Sequence, residues 1–302
     1  MKKQRLLLFL LVPILVVITS CSNIETTRIP FKDGFVNYYF FKNSKELNSN
    51  ILIIFIGGSG PYSELGSKYH TSASKAHEFL KDKYDLLIPD KPNTRLGGKQ
   101  SKNNKNMPYR ISGYATAINS FLKSHSYTNI YLAGFSEGGT VVPDLYFKIK
   151  DQDKIKGLVI ISSGGLSLYE EFKIASKNLG NDFPWKQDLN QIQKLLTKEH
   201  KTNKERLWLN YFTFSSLNVL KQVKVPILLL HGDKDTNSDI AGARIVKEEF
   251  DALRKSNLLY KEFKGYDHAF NQEWDLVFSE ITNWIQSNQS IISTRNSAFE
   301  KN

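Results

Sequence analysis

The chain has 302 residues, 40% of them hydrophobic, a formal net charge of +11 and one cysteine. That is enough apolar material for one large core, and a lone cysteine excludes both an internal disulfide and a cysteine-based zinc cluster. The basic balance suits an anionic partner such as a lipid surface or a polysaccharide, although excess lysine is more often a solubilising surface, and no nucleic-acid-binding motif accompanies it.

Residues 1–20 open with Lys2, Lys3 and Arg5 and continue through an apolar run from Leu6 to Ile18. This predicts a secretion signal, and the run is too short and too interrupted by Pro13 for a membrane span. Its end, Ile18-Thr19-Ser20-Cys21, resembles the lipobox of bacterial lipoproteins. The resemblance implies cleavage before Cys21, a palmitate-bearing lipid anchor on Cys21, and a place in the cell envelope facing the periplasm or the exterior. Ser22 resembles the outer-membrane sorting signal of hosts with two membranes. Loss of the leader lowers the net charge from +11 to +8, and polar residues 21–34 are expected to tether the anchor to the domain.

Aromatic Phe35 to Phe41 reads as an edge strand, and Ile51 to Ile56 as a strand buried on both faces. Gly57-Gly58-Ser59-Gly60-Pro61 breaks it. A helix over Ser67 to Lys83 follows, with Ala73, Ala76, Phe79 and Leu80 on one face, then a strand over Tyr84 to Pro89. From Lys91 to Arg110 the chain carries Lys91, Arg95, Lys99, Lys102, Lys105 and Arg110 against no acid, which reads as a solvated, mobile loop at the rim of the site, with steering of an anionic substrate or contact with anionic lipid as the alternatives. The alternation resumes with a helix from Ile111 to Ser124, a strand from Asn129 to Ala133, a helix after Ser136 and a strand from Gly157 to Ser162. Residues 165–225 are too many for an ordinary crossover and hold Tyr169, Phe172, Phe183, Trp185, Trp208, Tyr211, Phe212 and Phe214. They predict a helical cap. A strand from Pro226, a helix from Asp239 to Ser256, a strand from Leu258 and a helix from Asn271 to Gln286 complete the domain, leaving a disordered polar tail over 287–302. The fold class is therefore α/β: a mostly parallel sheet with helices on both faces, spanning 35–286.

Gly134-Phe135-Ser136-Glu137-Gly138 sits between strand and helix, where two glycines permit a sharp bend that exposes the serine oxygen. Ser136 is the candidate nucleophile. Gly232-Asp233-Lys234-Asp235 and Gly265-Tyr266-Asp267-His268 each follow a strand, so the chain order is Ser, Asp, His. A serine needs a base, and the base needs a carboxylate that fixes its tautomer. His268 alone among six histidines lies beyond the last strand. His70 and His77 are on a helix but not four apart, His125 and His200 lie in polar stretches, and His231 ends a strand.

These motifs resemble those of the α/β-hydrolase serine hydrolases, and the likeness runs over nearly the whole chain after the leader. It implies hydrolysis of esters, or of amides, through an acyl-enzyme on Ser136, with small-molecule substrates and no cofactor or metal. Between Asp233 and Asp235 it favours Asp235, as in H-G-x-x-D, with Asp233 shaping the turn. Asp267 is expected to serve its own loop. The oxyanion donors implied are the backbone N–H of Glu137 and that of Ser59 or Gly58, with Ser59 preferred because the loop resembles the G-S-G-P turn of bacterial esterases. Gly57 departs from the pattern, since many relatives carry histidine there. A peptidase of the same fold and a non-catalytic envelope binding protein are the competing readings.

Overall fold

The run Ile51-Leu52-Ile53-Ile54-Phe55-Ile56 has no polar side, so a strand made of it is stable only when both faces of its pleat are covered. Both are: Leu52, Ile54 and Ile56 enter one hydrophobic cluster, and Ile53 and Phe55 enter another on the opposite side. The computed structural model describes residues 24–43, 50–65, 71–100 and 106–299, those after 290 by backbone alone. The run is the third strand of a sheet formed by β1 (Ile24–Phe31), β2 (Gly34–Phe41), β3 (Ile51–Ile56), β4 (Asp85–Pro89), β5 (Asn129–Phe135), β6 (Ile155–Ile161), β7 (Ile227–Gly232) and β8 (Leu258–Phe263). The strand order is β1-β2-β4-β3-β5-β6-β7-β8. Strands β3 to β8 are parallel, and β1 and β2 form an antiparallel hairpin at one side.

The described helices are α1 (Ser72–Leu80), α2 (Met107–Leu122), α3 (Glu137–Lys148), α4 (Leu168–Leu179), α5 (Lys186–Thr197), α6 (Asn203–Thr213), α7 (Leu217–Leu220), α8 (Ile240–Ala252) and α9 (Trp274–Phe299). Helices α1 and α9 cover one face of the sheet through Ala73, Ala76, Phe278 and Ile285. Helices α2, α3 and α8 cover the other through Ile111, Phe121, Val141 and Phe250. Each such face removes apolar area at about 25 cal/mol per Å². The chain leaves β3 for β4 on one side and returns to β5 on the other, a reversal that opens a crevice above the carboxyl ends of the strands. Helices α4 to α7 lie between β6 and β7. Capping boxes at Ser167 with Glu170 and at Thr202 with Glu205 start α4 and α6.

The structure corrects several sequence expectations. Residues 24–31, assigned to the tether, form β1, because Ile24, Thr26 and Ile29 are strand-forming residues that pair with β2 through a turn in which Lys32 takes φ 50°. The strand at Phe35–Phe41 is therefore internal, between β1 and β4, and not an edge. Helix α2 starts at Met107, four residues before Ile111, because Asn106 caps it and Pro108 suits its first turn. Helix α9 continues to Phe299 through the stretch read as a disordered tail, since no Gly or Pro interrupts it. Helix α1 spans Ser72–Leu80 behind the cap Thr71. The leader, Cys21, Ser22 and the expected helix start at Ser67 lie outside the described residues.

At the amino end of β4, Asp85 is fully buried and accepts hydrogen bonds from the Asn43 amide (2.7 Å), the Lys42 ammonium (2.8 Å) and the Tyr127 hydroxyl (2.6 Å). Burial, then this bond to Asp85, raises the Tyr127 pKa well above its ordinary value. Asp85→Ala strands three donors at the base of the sheet. It is expected to lower stability by about 3 kcal/mol, read as a lower denaturation midpoint with unchanged denaturant slope.

Candidate active site

Ser136 sits between β5 and α3 with φ 55° and ψ −120°, a region costly for any residue but glycine. The bend is possible because neighbouring backbone crowds in where side chains are missing. A Cβ on Gly134 would lie 2.3 Å from the Gly138 carbonyl group, and one on Gly138 would lie 2.1 Å from the Ile56 carbonyl oxygen. The Ser136 amide donates to the Ile161 carbonyl at 2.8 Å, which fixes the bend to β6.

The Ser136 hydroxyl donates to His268 Nε2 at 3.0 Å, and His268 Nδ1 donates to Asp235 Oδ2 at 2.7 Å. Because a carboxylate only accepts, Asp235 fixes the proton on Nδ1 and leaves Nε2 free to take one. The His268 carbonyl accepts from the Ser162 hydroxyl (2.8 Å), and its ring packs against Phe135. Asp233 does not meet the histidine: its carboxylate accepts from the Gly265 amide at 2.6 Å and ties the two loops together. Asp267 accepts from the amides of Ala269 (2.9 Å) and Asn271 (2.7 Å) within its own loop.

Asp235 has further donors that the sequence did not disclose. Its Oδ1 accepts from the amides of Asn237 (2.8 Å) and Ser238 (2.9 Å), and His231 Nε2 lies 3.1 Å from Oδ2. Burial opposes its ionisation, but hydrogen bonds from His231 and His268 outweigh it and hold the pKa far below the ordinary carboxylate value. His231, treated as a strand end, is thus a second histidine on the same acid. Its position four residues before Asp235 in H-G-x-x-D was the available signal.

On the oxyanion side, the Glu137 amide opens the first turn of α3, where helix N–H groups have no intrahelical acceptor. Gly58 lies against the nucleophile: a Cβ there would be 3.6 Å from Ser136 Cβ. Ser59 borders the same cavity, its side chain toward Tyr211 of α6. The space beside Gly57 is filled by Glu64, whose Oε2 would lie 2.0 Å from a Cβ at that position. Glu64 pairs with Lys91, and Glu137 pairs with Arg110, all four buried. Lys91 and Arg110 therefore correct the reading of 91–110 as wholly solvated: each is neutralised by an acid distant in sequence. Residues 101–105, with Lys102 and Lys105, lie outside the described residues. Burial raises the Glu64 pKa against the pull of Lys91, while for Glu137 the Arg110 charge overcomes burial and lowers it.

A cavity of about 620 Å³ opens above Ser136, with Phe172, Trp185, Trp208, Tyr211, Phe212 and Phe214 of the α4–α7 segment in its wall. This segment also touches the acid turn. Glu171 of α4 is buried and accepts from the Ser238 hydroxyl at 2.7 Å, one residue link from Asp235. Among the described residues no group of three or more His, Cys, Asp or Glu is arranged to hold a metal ion.

No protein-family model matches the chain, and no curated protein matches it in sequence. Solved structures do. Est1E from Butyrivibrio proteoclasticus is 17% identical with a TM-score of 0.59, over 88% of this chain and 99% of that one. The esterase Pf2001 of Pyrococcus furiosus is 17% identical with a TM-score of 0.62, over 92% and 96%. An alpha-beta serine hydrolase homologue from Coxiella burnetii is 13% identical with a TM-score of 0.56, over 90% and 98%. Likeness at these identities establishes the fold, and the sheet of this chain is that of the α/β-hydrolases.

Burial raises the Glu171 pKa from an ordinary 4.5 to about 7, against the Ser238 hydrogen bond and the charge of His231 and with that of Asp235. The native state thus keeps a proton that the unfolded chain releases, so Glu171's contribution to stability is full at low pH and is lost as pH rises through about 7. Glu171→Gln is expected to flatten this fall by up to about 3 kcal/mol between pH 5 and 8, measured by denaturant unfolding across pH. Asp90, also raised by burial to about 7, leaves a residual slope of the same sign.

Proposed function

We propose that the protein is a serine hydrolase that cleaves carboxylic esters through an acyl-enzyme on Ser136. The observation that carries this reading is the hydrogen-bonded chain from Ser136 through His268 to Asp235 at a strained elbow. As the Ser136 oxygen attacks the ester carbonyl, its proton moves to His268 Nε2, and Asp235 stabilises the imidazolium through Nδ1–H. The carbonyl oxygen becomes an oxyanion held by the Glu137 amide and that of Ser59 or Gly58. Collapse expels the alcohol, which takes the proton from Nε2. A water then enters, gives its proton to the same nitrogen and releases the acid, restoring Ser136.

The aromatic wall of the cavity favours esters with a bulky apolar or aromatic group. Est1E, a structural neighbour, has been solved with ferulic acid bound, which is compatible with such a choice. This aromatic wall places the ester reading ahead of a peptidase. We further propose export as a lipoprotein anchored through Cys21, supported by the basic and apolar leader and the lipobox-like Ile18-Thr19-Ser20-Cys21. Among the described residues no helix is long and apolar enough to cross a membrane.

A fluorophosphonate probe with a series of p-nitrophenyl esters tests the reaction. Ser136→Ala is expected to abolish labelling and His268→Ala to lower turnover by several orders of magnitude. Asp235→Asn should lower it roughly 10⁴-fold by favouring the wrong tautomer, while Asp233→Asn does much less. Folded Ser136→Ala with undiminished hydrolysis would sink the proposal. For the anchor, Cys21→Ala is expected to release the protein from membranes or leave an unprocessed precursor. Normal processing together with unchanged membrane fractionation would refute it.

A further inference from the structure

The loops that enter the parallel strands carry mostly positive charge. Ser136 and the cavity lie at the carboxyl ends of the strands, while the crossovers return to the amino ends through short loops. Those loops carry exposed Lys81 and Lys83 before β4, Lys123 before β5, Lys150 before β6, Lys224 before β7 and Arg254 before β8. The acids on the same loops are few: Asp82 and Asp153 are exposed, and Asp151 is paired with Lys154 at 2.9 Å. None of the six cations makes an ion pair among the described residues. A charge run along one loop is usually only solvated. Here five crossovers, distant in sequence, bring their cations to one end of the molecule.

The amino end of the fold arrives at this same end. Ile24 pairs with Phe41, and Phe41 pairs with Leu86, beside the first residue of β4. Cys21 precedes Ile24 by three residues, at most roughly 11 Å of extended chain. An anchor on Cys21 would therefore hold the amino ends of the strands close to a bilayer. The seven residues of β5 put Ser136 roughly 20 Å further off. Charges act on a surface only within a Debye length, about 8 Å at physiological salt. With the strand amino ends turned toward the bilayer, the loops entering the strands would fall in that range, and the cap, at the opposite ends of the strands, would not.

We infer that the amino end of the sheet is a docking surface for anionic lipid headgroups, and that the catalytic mouth consequently faces away from the membrane. The substrate then arrives from the aqueous side, as a water-soluble ester and not a lipid of the anchoring bilayer. The orientation rests on the proposed anchor and the substrate statement on the proposed reaction; the binding surface itself needs neither.

The test uses the chain from Ser22 onward, which contains every described strand, in co-sedimentation with phosphatidylcholine vesicles with and without phosphatidylglycerol. Binding is expected only with phosphatidylglycerol and is lost at high salt. Lys83→Glu, Lys123→Glu, Lys150→Glu and Lys224→Glu together should weaken it at least about a hundredfold, with ester hydrolysis in solution unchanged. The pair Lys83→Glu and Lys150→Glu, with a smaller loss, covers the case in which four reversals impair folding. Lys186→Glu, Lys194→Glu and Lys204→Glu on the cap should leave binding intact. Equal binding to neutral vesicles, a loss confined to the cap variants, or retention on dextran sulfate without any vesicle binding would overturn the inference. A protein that binds vesicles yet neither labels nor hydrolyses any ester would overturn the proposed reaction alone.

Discussion

The site depends on one enforced bend. A serine at φ 55° and ψ −120° costs about 1–3 kcal/mol, and it persists because the backbone on both sides is packed where no side chain would fit. Gly134 meets the backbone of Gly138, and Gly138 meets the carbonyls of Ile56 and Gly57. These contacts place the first turn of α3 directly against the end of β3, so the Glu137 amide and the Gly58-Ser59 loop border one point in space. The order of β3 and β5 as sheet neighbours thereby brings together the two backbone segments proposed to hold an oxyanion. A looser turn would leave Ser136 exposed but unaccompanied.

Around this bend the protein buries two ion pairs outside the Ser136-His268-Asp235 chain. Glu64 pairs with Lys91 beside Gly57, and Glu137 pairs with Arg110. Such pairs rarely add net stability over apolar packing, because desolvation offsets their attraction, but a missing partner leaves a buried charge uncompensated. Their effect is positional: Glu64 fills the space beside Gly57, and Arg110 fixes the side chain of Glu137, whose amide is proposed to face the oxyanion. Tyr211 of α6 is oriented toward Glu137 and Ser59, and Glu171 of α4 toward Ser238. The cap therefore touches the elbow on one side and the acid turn on the other, which makes it part of the support of the site as well as a wall of the cavity.

Most of the architecture was legible because its signals are local. Continuous β-branched runs gave the parallel strands, glycines marked the elbow, and the order of Ser136, Asp235 and His268 could be read along the chain. The misses that bear on the site share one cause with the missed first strand. Ile24 to Phe31 is too polar to announce a strand, and becomes one only by pairing with β2. Lys91 and Arg110 read as solvated cations because the acids that bury them, Glu64 and Glu137, are 27 residues away in each case. Glu171 carries no motif at all. What a sequence conceals here is the long-range pairing of polar groups, which periodicity does not encode.

The same topology that gathers Ser136, Asp235 and His268 also gathers cations. In a parallel sheet every strand enters at one end and leaves at the other, so residues closing the crossovers collect together however far apart they lie in sequence. Loops leaving the strands carry Ser136, Asp235 and His268, and loops entering them carry Lys83, Lys123, Lys150 and Lys224. The short hairpin of β1 and β2 then delivers the amino end of the fold to the basic side. Only Ser22 and Asn23 separate Cys21 from Ile24, so the proposed anchor on Cys21 would leave no long tether to average over orientations. Given that anchor, the direction of the strands would decide whether the cavity meets the bilayer or the solution.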